Sequence, residues 1–169
     1  MLKWLALIFM VSGILWLSAE AATAGDGLSD ALNPSVLWAV ITQTDFGKAW
    51  LTQMLTAMLI LFLAFSPMLE KFRALTVVSG LGLVALGFTG HAVMLEGTWA
   101  WVLPVLQALH LLAGGFWIGG LLAITVQPNV SAPEWRVAVM RYSFIGHFAV
   151  ATVVLSGVAI SYALLMPQP

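Results

Sequence analysis

The residues best suited to chemistry in this sequence are its three histidines, His91, His110 and His147, each of which stands in a long apolar run. Ionisable side chains inside a membrane span are costly and rare, and they usually face the interior of a helix bundle. An imidazole can bind a metal ion without carrying a charge. A single buried histidine would be read as packed against a carbonyl group. With three on three successive apolar segments, we expect at least two of them to bind a metal or a cofactor.

The residues near the histidines suggest two kinds of bound group, a copper ion or a haem. Met94 follows His91 by three residues, so both side chains lie on one helical face, and a thioether beside an imidazole suits Cu(I). The predicted metal ligands are therefore His91, Met94, His110 and His147. The alternative is haem b, with His110 and His147 as axial ligands. The chain has no cysteine and hence no site for covalent haem attachment.

The composition shows which elements must position these residues. Of 169 residues, 62% are hydrophobic and 8% are charged, and the mean hydropathy is +1.03. Soluble domains contain about 45–50% apolar and about 25% charged residues. A soluble globular domain and a disordered chain are both excluded. The net charge of −1 offers no basic surface for nucleic acid, so no nucleic-acid partner is expected.

The apolar segments predict an all-α polytopic membrane bundle, because only helices and closed barrels satisfy every backbone group in lipid. A span needs about 20 apolar residues, and about five segments of one domain, 1–169, qualify. They run roughly over 2–19, 46–66, 74–95, 99–126 and 137–165. The polar stretch 20–45 is predicted to be a periplasmic loop. Gly115 and Gly119, in GxxxG spacing, are predicted to mark a contact between helices.

The cationic residues predict the orientation. With the N-terminus in the cytoplasm and the C-terminus in the periplasm, only Lys48 lies outside. The residues on the cytoplasmic side are Lys3, Lys71, Arg73, Arg136 and Arg141. Residues 1–24 also resemble a cleavable signal peptide, but the length of the apolar run favours a retained helix.

Three stretches of the sequence resemble one family. Residues 37–50 contain a Thr-x-Phe-Gly-x-x-Trp pattern, from Thr44 to Trp50. Residues 109–120 read Leu-His-Leu-Leu-Ala-Gly-Gly-Phe-Trp-Ile-Gly-Gly, and 141–157 begin Arg-Tyr-Ser-Phe-Ile-Gly-His and end Ser-Gly. Gly90-His91-Ala92 also fits. Together these stretches resemble the CopD family of bacterial inner-membrane copper proteins.

This resemblance implies a multi-pass protein of the bacterial inner membrane that handles copper, as Cu(I) or Cu(II), in uptake, transfer or resistance. His91 and Met94 would receive the ion, and His110 and His147 would hold it or pass it on. The partners it suggests are the lipid bilayer, a periplasmic copper carrier of the CopC type and, as a homodimer, a second copy of the chain.

Three functions stay open at this point. The leading one is copper binding or transport, which would make the protein a carrier rather than an enzyme. The second is haem binding, which would make it a redox protein or a haem-handling protein. The third is a structural or assembly role in which the histidines are merely packed.

Overall fold

The structure, a computed structural model, describes residues 2–89, 99–126 and 131–165, and in these ranges it contains helices and no strands. The α-helices are α1 (Leu2–Ala24), α2 (Pro34–Gln43), α3 (Asp45–Phe65), α4 (Lys71–Gly87), α5 (Trp99–Thr125) and α6 (Ala132–Leu165), and a 3-10 turn spans Leu28–Asp30.

Within the described ranges, four helices are long and apolar enough to cross a membrane: α1, α3, α5 and α6. The predicted all-α polytopic membrane fold is therefore confirmed. The fifth predicted span, 74–95, coincides with α4 as far as Gly87, but residues 90–98 lie outside the described part of the chain. The 17 described residues of α4 amount to about 26 Å at 1.5 Å per residue.

The chain forms two compact units, residues 1–89 and residues 90–169. In the first unit, α3 packs against α1 and α4, and α2 lies against α1 and α3. Its apolar centre is formed by Leu17 and Ala21 of α1 with Val40 of α2, and Phe46 and Trp50 of α3 pack around them.

The second unit is an antiparallel pair of helices, α5 and α6. Leu103 of α5 packs against Ala163 and Ile160 near the end of α6. The buried residues of α6 repeat at intervals of three, seven and seven: Gly146, Ala149, Ser156 and Ala163. Such spacing places small side chains along one face, and this lets the two helices approach closely.

Two helices begin at residues that the sequence prediction assigned to loops, and a local signal accounts for each of these starts. The predicted loop 20–45 contains the end of α1 and all of α2. Asn33 caps α2 by accepting a hydrogen bond from the Ser35 backbone N–H, and Pro34 occupies the first helical position. Helix α6 begins at Ala132 rather than near residue 137. The Ser131 hydroxyl and backbone N–H both donate to Glu134 Oε2, at 2.8 and 3.3 Å, which closes its first turn.

Candidate functional site

His110 projects from α5 onto α6 and is half-buried there. Its Nδ1 lies 3.1 Å from the carbonyl oxygen of Val153 and 3.0 Å from Oγ of Ser156. A carbonyl oxygen can only accept a hydrogen bond, so Nδ1 carries the proton. In the neutral form of the ring the lone pair is therefore on Nε2, which has no hydrogen-bond partner among the described residues.

Ser156 is the second hydrogen-bond partner of the His110 ring. Its side chain is buried, with 5% of its surface exposed. The Ser156 hydroxyl donates to the carbonyl oxygen of Thr152 at 2.5 Å, which leaves an Oγ lone pair to accept from His110. Gly157 lies against the ring, where a Cβ would make ordinary van der Waals contact with Cε1 at 3.4 Å. The imidazole is thus fixed in both orientation and tautomer by one turn of α6.

His147 is placed differently. It lies on α6 with its side chain exposed, and its Nδ1 donates to the carbonyl oxygen of Ser143 one turn earlier in the same helix. By the same reasoning, Nδ1 carries the proton and Nε2 carries the lone pair. His147 therefore also presents a nitrogen that can bind a metal, but on a surface that α5 does not cover.

The structure brings His110 to α6 but not to the level of His147. His110 meets α6 between Val153 and Gly157, six to ten residues beyond His147 in sequence. At 1.5 Å per residue this is about 9–15 Å along the helix axis. In the described ranges no group of three or more His, Asp or Glu side chains is arranged to hold a metal ion. His91 and Met94 lie outside these ranges.

The Thr-x-Phe-Gly-x-x-Trp pattern in the first unit has structural roles throughout. Thr44 caps α3 by accepting from the Gly47 N–H at 3.0 Å, and Phe46 meets the Trp16 ring edge-on at a centroid distance of 4.9 Å. A Cβ on Gly47 would lie 2.1 Å from the backbone oxygen of Ile41, so the turn between α2 and α3 requires glycine.

The last residue of this pattern, Trp50, ties α3 to α1. Its indole N–H donates to the carbonyl oxygen of Gly13 at 2.7 Å. The missing Cβ of Gly13 leaves room for another side chain of α3, since the Met54 methyl group occupies the space that a Cβ would take. Met54 thus packs as an apolar filler between α3 and α1.

Gln53 is a buried polar residue that the sequence interpretation missed. It lies inside the predicted span 46–66, and an amide in such a span is a signal that could have been used. Its Nε2 donates to the carbonyl oxygen of Gly82 on α4 at 3.1 Å, and its side chain is 3% exposed. Its Oε1 is buried without a hydrogen-bond partner in the described part of the chain.

Within the second unit, α6 does not contact the predicted Gly115–Gly119 pair. Gly119 has no atom within 4 Å of the position of a Cβ, and both glycines are exposed. Instead the ring of Tyr142 occupies the space over Gly120, and its hydroxyl donates to the carbonyl oxygen of Trp117. The helix contact predicted from the GxxxG spacing is thus made by other glycines of α5 in this unit.

Comparisons with known proteins find the family that the sequence motifs resemble. Residues 1–101 match the N-terminal domain of copper resistance protein D-like proteins. Inner membrane protein YebZ of Escherichia coli (strain K12) is 32% identical over 153 residues, which cover 88% of this chain and 52% of YebZ. Copper resistance protein D of Pseudomonas syringae pv. tomato is 28% identical over 175 aligned positions, covering 97% of this chain and 55% of that protein.

The chain thus spans about half the length of the curated relatives it matches. No solved structure matches it significantly. The relatives and the four apolar helices of the described ranges indicate a multi-pass protein of the inner membrane. The family match covers more than half of the 169 residues, and the chain belongs to the copper resistance protein D-like family.

Proposed function

We propose that this protein binds copper inside the membrane through its histidines and thereby takes part in copper uptake, transfer or resistance. The observation that carries the proposal is the orientation of His110. The Nδ1–H of this ring is held by Val153 and Ser156, and the Nε2 lone pair remains for a metal ion.

This arrangement is the one that metal-binding histidines generally have. A ligating imidazole donates its other N–H to a carbonyl or a similar acceptor, which fixes the tautomer and increases the basicity of the ligating nitrogen. Imidazole nitrogen suits copper, and thioether sulfur selects Cu(I). Copper here is cargo: each histidine would hold the ion until the next ligand accepts it.

The positions along α6 favour successive sites over one shared site. His110 and His147 each offer Nε2, but at levels about 9–15 Å apart along the helix. In the proposal, His91 and Met94 receive the ion, and His110 and His147 pass it across the middle of the bilayer. The haem alternative would require both imidazoles to face one iron from opposite sides, and no contact among the described residues favours it.

The test is copper retention by the purified full chain in detergent, after loading with Cu(I) under reducing conditions and removal of unbound metal. Elemental analysis should find copper in the wild type and a large loss in His110→Ala. Thr125→Val is a matched control on the same helix, because among the described residues the Thr125 hydroxyl bonds only carbonyl groups of its own helix.

Two results would overturn the proposal. One is a wild-type protein that stays free of copper after loading, and the other is His110→Ala with the copper content of the wild type. An absorption spectrum of the same sample tests the haem alternative. A Soret band that disappears in His110→Ala and His147→Ala would establish haem in place of copper.

A further inference from the structure

The segment between α1 and α3 exposes large apolar side chains outside the spans. Leu28 is 90% exposed, Leu32 is 77% exposed, and Trp38 is 68% exposed. Inside a span such exposure is expected of a side chain that faces lipid or another helix, but these three residues belong to the 3-10 turn, the residues after it, and α2. This surface, which we call the 28–38 surface, therefore needs an explanation of its own.

The position of α2 relative to the spans indicates what covers the surface. The packed face of α2 contacts Leu17 and Ala21 in the last two turns of α1, and Phe46 and Trp50 in the first two turns of α3. Both helices have the length and hydropathy of membrane spans. Helix α2 has 10 residues, about 15 Å, and cannot cross a hydrocarbon core of about 30 Å. It lies beside the ends of two spans, at the level of the membrane boundary.

The turn before α2 is fixed rather than loose. The Asp30 carboxylate accepts the Asp26 backbone N–H at 2.7 Å and the Asn33 side-chain amide at 2.9 Å. A Cβ on Gly25 would lie 2.4 Å from this carboxylate, and Gly27 has a φ of 110°, so both glycines are required by the turn. Leu28 and Leu32 are thus held exposed by a defined structure.

The charges of the segment select the kind of contact. Between Lys3 and Lys48 the sequence has no Lys or Arg, and it carries Glu20, Asp26, Asp30 and Asp45. Attraction to anionic headgroups is therefore not available to this segment. Burial of leucine side chains and an indole is available, and tryptophan is enriched at the boundary between the membrane and water.

We propose that the 28–38 surface is a membrane-interface anchor, in which Leu28, Leu32 and Trp38 insert into the boundary between headgroups and acyl chains of the lipid bilayer. The anchor holds α2 against the membrane beside α1 and α3. Its occupant is lipid, and zwitterionic phosphatidylcholine suffices. The proposal is independent of copper binding.

The test uses the absence of native cysteine from the chain. A nitroxide is attached to Leu28→Cys, Leu32→Cys or Trp38→Cys in the full chain, reconstituted in phosphatidylcholine nanodiscs. Power-saturation EPR then compares collisions with oxygen, which dissolves in lipid, and with a nickel chelate, which stays in water. Asp26→Cys is the water control. Leu55→Cys, 66% exposed on α3, is the lipid control.

The proposal expects the oxygen-to-nickel ratio at residues 28, 32 and 38 to exceed that at residue 26 several-fold and to approach that at residue 55. Ratios equal to that at residue 26 would place the surface in water and overturn the proposal. Protection from both reagents would overturn it too, because protein would then cover the surface. Bromine-labelled lipids give a second readout, in which the fluorescence intensity lost per mole of protein should be larger for the wild type than for Trp38→Phe. An equal loss of intensity in the two proteins would contradict the anchor.

Discussion

In both units of this protein, a side-chain N–H group of one helix donates a hydrogen bond to a backbone oxygen of another helix. The units differ in which polar atoms of those side chains remain without a hydrogen bond. In the first unit, Trp50 and Gln53 of α3 donate side-chain N–H groups to the backbone oxygens of Gly13 and Gly82. In the second unit, His110 of α5 donates its Nδ1–H to the backbone oxygen of Val153. In lipid, such bonds satisfy polar side chains that have no water to turn to.

Which polar atom remains unbonded depends on the type of side chain. An indole has a single N–H, so Trp50 is fully used. The amide of Gln53 keeps an acceptor, Oε1, which is enclosed in the first unit. The imidazole of His110 keeps a lone pair on Nε2, and this is the atom that can bind a metal. Polar residues in equivalent contacts thus leave no free metal-binding nitrogen in the first unit, whereas His110 of the second unit keeps the Nε2 lone pair.

The largest expected change in the free energy of unfolding is at a glycine of the first unit. Gly47→Ala would place a methyl group against the Ile41 backbone oxygen, which cannot move as a side chain can, and should destabilise the protein by about 2 kcal/mol or more. Gly119→Ala in the second unit meets open space and should cost nothing, or stabilise by up to about 1 kcal/mol through helix propensity. Unfolding in detergent measures both, and equal midpoints would contradict the structural role of Gly47.

The next largest effect is on copper affinity, in a variant that keeps His110 but removes one of the two groups that orient its ring. Ser156→Ala leaves Val153 to hold His110 alone, and loss of such an outer partner should weaken copper binding about tenfold. Ser143→Ala is the matched control, because His147 bonds the backbone oxygen of residue 143, which alanine retains. Competition with a copper chelator measures both affinities. An equal loss in the two variants would refute the role of Ser156.

A smaller effect is expected from removing the donor of Trp50. Trp50→Phe keeps an aromatic ring but loses the hydrogen bond to Gly13, and should reduce stability by about 1 kcal/mol while copper content stays unchanged. Trp101→Phe, at a position that is 78% exposed, should leave both quantities unchanged. A loss of copper in Trp50→Phe would show that the first unit does more than support the fold.

The smallest effect concerns pH and the turn before α2. The hydrogen bond from the Asp26 N–H, with a second from Asn33, holds the pKa of Asp30 below its ordinary value of 3.8. Because the folded-state pKa is lowered, this stabilisation is complete above pH 3.8 and is lost as pH falls through the lowered pKa.

A nitroxide at Leu28→Cys should therefore become more mobile only below pH 3.8. Asp30→Asn should abolish this dependence on pH and serves as the control against the other carboxylates. A transition centred above pH 3.8 would contradict the assigned hydrogen bonds.

The sequence predicted the membrane helices well because their signal, a long apolar run, arises from the solvent rather than from packing. It failed where a helix starts with polar residues. Asn33-Pro34 and Ser131-x-x-Glu134 look like loop residues by composition, although both are helix N-terminal signals, and these signals give the starts of α2 and α6.

The candidate site could be predicted only in part. The sequence identifies His110 and His147 as candidate ligands because an imidazole is costly and rare inside an apolar span. Which face each ring takes depends on how α5 and α6 pack, and small residues do not reveal this, since Gly120 receives Tyr142 while Gly115 and Gly119 remain exposed. The partners of His110, at Val153 and Ser156, are distant in sequence and follow from the helix register alone.

X-ray absorption at the copper edge can show whether Nε2 of His110 is a copper ligand. The full chain loaded with Cu(I) should show the scattering of coordinated imidazole rings, and His110→Gln should lose imidazole scattering or lose the metal altogether. Identical spectra from the two proteins, at equal copper content, would exclude His110 as a copper ligand.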